Sequence, residues 1–211
     1  MKFKKLNLIS CTLSFKNIII LTALSIAAAF LNIFLSGFVM NFLRFPLFLD
    51  TVFTAAVTFA FGLIPGIFTA LLTWFLPCVY YSGFSFYFLC SITEVLLICA
   101  LKPSALDTPF YASKEKIAAS YTALVSRLFL LYILCAVTIS VTGGLVDYIT
   151  HLFIERNYYS VDELFKQGLY IINLPVFAVN IISRLPINIV DRFIVIFAGF
   201  FISGGFVKLI K

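Results

Sequence analysis

The stretch NIIILTALSIAAAFLNIFLSGFV, residues Asn17 to Val39, decides the class of fold. It runs for 23 residues without a charge. A helix needs about 20 predominantly apolar residues to cross the roughly 30 Å hydrocarbon core of a bilayer, so this segment is read as a first membrane span. Ala27-Ala28-Ala29, behind a basic start, also fits the cleavage site of a signal peptide. The apolar run continues past those alanines, however, and the later spans orient properly only if it is retained.

The rest of the chain has the same character. Of its residues 63% are hydrophobic and 11% charged, against about 25% charged in a soluble domain. That deficit leaves too little polar surface to meet water. Phenylalanine alone contributes 26 residues, which suits an exterior in contact with lipid. No soluble domain, low-complexity linker or internal repeat is evident, so residues 1–211 are read as one integral membrane domain.

Five further spans are expected. Phe45 to Phe61 is the second, closed by the turn Gly62-Leu-Ile-Pro-Gly66. Pro65 fits the first turn of the next helix, where a missing N–H costs nothing. The third runs from about Ile67 to Tyr81, with Pro77 as a kink, and the fourth from Phe84 to Leu101. After the polar loop Lys102 to Lys116, the fifth covers about Ile117 to Thr142 and ends at Gly143-Gly144. The sixth is Pro186 to Val207. Leu169 to Ile182 is apolar but only 14 residues long and holds Pro175, so it is read as interfacial or re-entrant. The fold class expected is an all-α membrane bundle of six transmembrane helices, with a partly interfacial segment before the last.

The formal charge of +6 could suggest a nucleic-acid partner, but its distribution argues against one. Lys2, Lys4, Lys5, Lys16, Lys102, Lys114, Lys116, Lys208 and Lys211 all fall on one side of a six-span topology. The other side receives Arg44, Arg156, Lys166, Arg184 and Arg192 beside most of the acids. Excess lysine marks the cytoplasmic face, so both termini are expected in the cytoplasm and the protein in the cell membrane. Cys11, Cys78, Cys90, Cys99 and Cys135 show no CxxC spacing and are read as small buried hydrophobes. No metal or other cofactor is expected.

Ionisable residues inside spans are costly and usually face a cavity or a partner. Glu94 and Arg127 each lie ten residues into their expected spans, counted from opposite ends. Antiparallel neighbours would bring the two together at mid-depth, either as a structural pair or facing a ligand. A second group, Asp50, Asp191 and Arg192, follows Pro46 and Pro186 near the outer boundary, flanked by Arg44 and Arg184. Carboxylates there either cap helix N-termini or line a solvated mouth for a small polar ligand. Asn180, Asn188, Trp74, Tyr87 and Tyr170 could add hydrogen bonds and stacking surface, or serve as interfacial anchors. In the first span, Ala23 and Ala27 form a small-xxx-small pair that lets another helix approach closely.

Enzymatic signatures are missing. There is no GxxxxGK[ST] phosphate loop, no HExxH and no GxSxG elbow, and His151 is the only histidine. No catalytic residue is assigned, and the chain cannot itself power transport with ATP.

The run Arg44-Phe-Pro-Leu-Phe-Leu-Asp50-Thr-Val-Phe-Thr, with Phe61-Gly-Leu-Ile-Pro-Gly66 and Leu71-Leu-Thr-Trp, resembles the second and third helices of the substrate-binding S components of energy-coupling factor (ECF) transporters. Arg184-Leu-Pro-Ile-Asn-Ile-Val-Asp191-Arg192 is similar to the start of their last helix. The resemblance implies vitamin or micronutrient uptake, with a transmembrane coupling subunit and two ATPase subunits as partners. It also implies docking on the coupling subunit through an AxxxA pattern, matched by Ala23 and Ala27. Substrate would then bind in an outward-facing cavity, with Glu94, Arg127, Asn180, Asp191, Asp50 and Tyr87 as the candidate residues. The alternative function is a membrane sensor acting through a separate signalling partner.

Overall fold

A computed structural model of the chain describes residues 15–81, 86–103, 114–153 and 161–210. Every regular element among them is helical. Helix α1, Phe15–Gly37, continues into a π-helical stretch, Phe38–Phe42. Then come α2 (Val52–Phe61), α3 (Leu63–Tyr81), α4 (Phe88–Leu101), α5 (Lys114–Phe153), α6 (Val161–Ile171), α7 (Val176–Ile182) and α8 (Leu185–Ile210). Four stretches are long and apolar enough to cross a membrane: Asn17–Phe42, Leu63–Tyr80, Ser120–Thr150 and Val176–Lys208. The protein is therefore built as a multi-pass membrane protein would be. Helices α2 and α4, with 10 and 14 residues, are shorter than a full crossing of about 20.

The second expected span is thus helical only in its latter part. Pro46 disfavours helix at the residue before it, and two non-glycine residues nearby, Arg44 and Leu49, have φ of 55° and 42°. The backbone of residues 43–51 consequently crosses the end of the bundle without regular structure, and α2 starts only at Val52. At the other end of α2, Gly62 turns the chain with φ of 88°. Pro65 lies in the first turn of α3 and Pro77 lies within that helix.

Helix α5 departs most from its expected bounds. Its 40 residues run straight through Gly143-Gly144 instead of stopping there. The glycine pair serves packing: a Cβ on Gly144 would lie 2.9 Å from the Ile181 backbone, and one on Gly143 would lie 3.0 Å from the Arg184 guanidinium. Helix α7 therefore rests directly on the α5 backbone. With seven residues α7 rises only about 10 Å, so it does not cross alone. Asn173, with φ of 57°, and Pro175 separate it from α6.

Lipid tails are as apolar as leucine, so helices in a membrane associate through close packing and polar contacts. The α2–α8 interface shows the first of these. A Cβ on Gly199 would lie 2.8 Å from Ala55 Cβ and 3.2 Å from the Val52 carbonyl. Around this contact Val52, Ala55, Ile98, Leu131, Cys135 and Val195 form part of one core. Large apolar side chains such as Phe34, Phe42, Tyr80 and Phe201 are exposed instead, as lipid contact requires. Asn32 supplies the second kind of contact. Fully buried, it donates to Thr54 Oγ1 and Thr73 Oγ1 and accepts from the Phe53 backbone N–H, tying α1 to α2 and α3.

Residues 104–113 of the expected polar loop, together with Phe84, Cys11, Lys2, Lys4, Lys5, Glu155 and Arg156, lie outside the described residues. The side chains of Lys16, Lys114, Lys116 and His151 do so as well.

Candidate functional site

Three helices present polar residues at helical spacing toward one another. On α8 and the turn before it, Arg184, Asn188 and Arg192 recur every fourth residue and so share a face. On α5, Ser140 and Asp147 lie seven residues apart, about two turns. Tyr87 and Glu94 have the same separation at the start of α4. The polar groups meet in matching order, and the result is a column of polar contacts about 10 Å long between otherwise apolar helices.

One end of the column is the Arg184–Asp147 pair. The guanidinium donates through Nε to Asp147 Oδ2 at 2.7 Å and through Nη2 to Oδ1 at 2.9 Å. This two-point geometry is the strongest form of such a contact. Tyr87 donates its hydroxyl to Asp147 and accepts from Arg184 Nη2 at 2.9 Å. Lys166 of α6 reaches the same carboxylate at 3.4 Å, which attaches the amphipathic α6 to the bundle. One turn further along, Asn188 donates to Ser140 Oγ at 2.9 Å.

The inner end is centred on Arg192, whose side chain is 4% exposed. Arg192 Nη1 donates to Glu94 Oε2 at 2.5 Å and to Thr51 Oγ1 at 2.8 Å. Its Nη2 meets Asp191 and lies 3.7 Å from Asp50 Oδ1. Asp191 also accepts from the Leu49 backbone N–H at 2.9 Å through its other oxygen, Oδ1. Glu94 and Asp191 are completely enclosed, whereas the Asp50 side chain is 45% exposed. Ions so enclosed persist only when paired and hydrogen-bonded. Two buried atoms here, Glu94 Oε1 and Arg192 Nε, make no hydrogen bond within the protein.

These positions revise the sequence expectations. Glu94 pairs with Arg192, and Arg127 sits on the exposed face of α5. The miscount follows from the length of α5. With Asp147 opposite Arg184 and Ser140 opposite Asn188, the α5 residue level with Arg192 lies near Ala136, more than two turns from Arg127. Ending α5 at the glycines shifts its register by that amount. Only Glu94 of the expected mid-membrane pair joins the outer-boundary residues: it shares one cluster with Asp50, Asp191 and Arg192. Asp191 is the seventh residue of α8 and accepts from the irregular approach to α2 at Leu49 instead of capping its own helix.

Tyr87 belongs to the outer end of the column. Asn180 is buried on α7, which packs against α5. Trp74 packs against Phe88, at the start of α4, with ring centroids 5.0 Å apart and planes tilted by 52°, and Tyr170 is exposed on α6. Asp147, Ser140 and Thr51 escaped the sequence reading. The shared seven-residue spacing of Tyr87–Glu94 and Ser140–Asp147 is the signal that points to the first two, and no spacing in the sequence points to Thr51.

No family model, curated protein or solved structure matches this chain. Its chemistry has to be read from the column itself. Among the described residues no group of three His, Cys, Asp or Glu side chains is arranged to hold a metal ion. The inner cluster combines acceptors, donors and one partly open carboxylate, a set that suits recognition of a small polar molecule.

Proposed function

We propose that this chain is the substrate-binding membrane subunit of an energy-coupling factor type uptake system for a vitamin or other micronutrient. One observation carries the reading. The two stretches that resemble S components, around Arg44–Thr54 and Arg184–Arg192, are distant in sequence yet meet in a single polar cluster. Leu49 N–H bonds Asp191, and Thr51 bonds Arg192. Such convergence is expected if both stretches serve one binding site.

The same reading assigns six crossings, with α2 and α4 as short ones, and both termini in the cytoplasm of a cell-membrane protein. A transmembrane coupling subunit docks on α1 and two ATPase subunits supply energy. Ala23 and Ala27 support the docking role because both are exposed, while their neighbours Ser25, Ala28 and Ala29 are buried in the bundle. A second helix can approach α1 closely along that small-residue face. The chain itself performs no catalysis, and ATP hydrolysis belongs to the partners.

The test is affinity purification of the tagged protein from its native membranes in mild detergent, with mass spectrometry of the eluate. A coupling subunit and two ATPases are expected to co-purify. A signalling partner in their place would replace this reading with that of a membrane sensor.

A further inference from the structure

The inner cluster is unbalanced in charge. Asp50, Glu94 and Asp191 bring three carboxylates to the single guanidinium of Arg192. Away from water such an excess of negative charge is strongly disfavoured unless another cation or hydrogen-bond donors compensate it. The protein leaves the matching acceptor in place: Glu94 Oε1 is buried and receives no hydrogen bond within the protein.

The cluster is also open at one point. Asp50 lies 3.7 Å from Arg192 and is 45% exposed, so its carboxylate is held loosely at the edge of an otherwise enclosed group. The residue before it, Leu49, is kept at φ of 42° by its N–H bond to Asp191. A branched apolar residue adopts that left-handed conformation only at a cost, and strain of this kind collects at functional sites. Two chemical details narrow what can bind. An acceptor without a donor calls for an N–H or O–H, and the excess of carboxylates calls for that donor to be cationic, which points to N–H and excludes a quaternary ammonium. The carboxylates converge on a planar guanidinium, and no metal-holding group is present among the described residues.

Building on the uptake reading, we infer that this cluster recognises an N–H-bearing cationic group, a protonated amine or amidinium, on the transported solute. Asp50 meets that group first and Glu94 Oε1 accepts its hydrogen bond, while Arg192 and Thr51 hold Glu94 in place.

The experiment uses the full chain purified from native membranes. Bound small molecules are released by denaturation, then identified and quantified by mass spectrometry against protein amount. Wild type, Asp50→Asn and Glu94→Gln are compared. A compound that carries a protonated nitrogen at neutral pH is expected in wild type, with its occupancy reduced about tenfold or more in both variants, as for loss of a charged hydrogen bond. Asp50→Asn changes a half-exposed side chain and keeps the test valid if Glu94→Gln does not fold. A neutral or anionic compound in wild type, or a cation retained undiminished in Asp50→Asn, overturns the inference. So does a wild-type eluate with no compound, which would leave protonation as the means of balancing the cluster. The ATPases in the same eluate report on the transport reading separately: a bound cation without them sinks that reading and leaves the cation site standing.

Discussion

Glu94 on α4 and Arg192 on α8 form a buried ion pair, Oε2 to Nη1 2.5 Å, although 98 residues separate them in the chain. Each lies about two turns from the start of its helix. The pair forms because both helices begin at the same end of the bundle and enter it in step.

Removing the cation should do more harm than removing any one of the three acids. Arg192→Met leaves three carboxylates without their shared partner, and breaking a buried pair in this way costs about 3–5 kcal/mol. Adding Glu94→Gln to Arg192→Met should recover part of that loss, because one orphaned charge disappears. Thermal unfolding of the four proteins in detergent measures the coupling, and strict additivity would contradict a shared cluster.

At the outer end, Asp147→Asn replaces a carboxylate that Arg184, Lys166 and Tyr87 all contact. The expected loss is about 1.5–3 kcal/mol for the charge-assisted bonds. Tyr87→Phe removes one hydroxyl and should cost about 1 kcal/mol. Because Lys166 ties α6 to Asp147, hydrogen exchange within residues 161–171 should quicken in Asp147→Asn more than in Tyr87→Phe.

The glycines separate packing from chain flexibility. Gly144→Val drives its side chain into the Ile181 backbone, while Gly204 has nothing within 4 Å of an added Cβ. Overpacking costs about 1–3 kcal/mol, so Gly144→Val should lower the melting temperature. Gly204→Ala should leave it unchanged or slightly raised.

Asn32→Leu tests the polar tie between α1, α2 and α3. It deletes three hydrogen bonds and leaves the Phe53 N–H without its acceptor. Membrane hydrogen bonds are worth about 0.6 kcal/mol on average, so a total near 2 kcal/mol is expected from denaturant titration in micelles.

Docking on α1 gives the functional prediction. Replacing Ala23 and Ala27 together by tryptophan should abolish uptake and co-purification of ATPases while leaving solute occupancy at the wild-type level. Both side chains point away from the bundle, so the fold should tolerate the change. Normal uptake by this variant would remove α1 as the docking face.

Composition and the long uncharged run at Asn17 to Val39 determined the class of protein, because a bilayer dictates length and polarity in a way any segment reveals locally. The same local logic marked Glu94 and Arg127 as costly residues in need of partners, placed Asp50 and Asp191 near a boundary as caps or as the lining of a polar mouth, and set Leu169 to Ile182 apart as too short to cross. Which partners they take was a tertiary matter. Gly143-Gly144 reads as a helix end in sequence because glycine weakens a helix, but in the bundle the missing side chains admit α7, and α5 continues for another turn and more. That extension sets which α5 residues lie level with α4 and α8, and so keeps Arg127 more than two turns away from the Glu94–Arg192 pair, which α4 and α8 form by entering the bundle in step. Helix ends and register depend on what packs alongside, and only the assembled bundle supplies that.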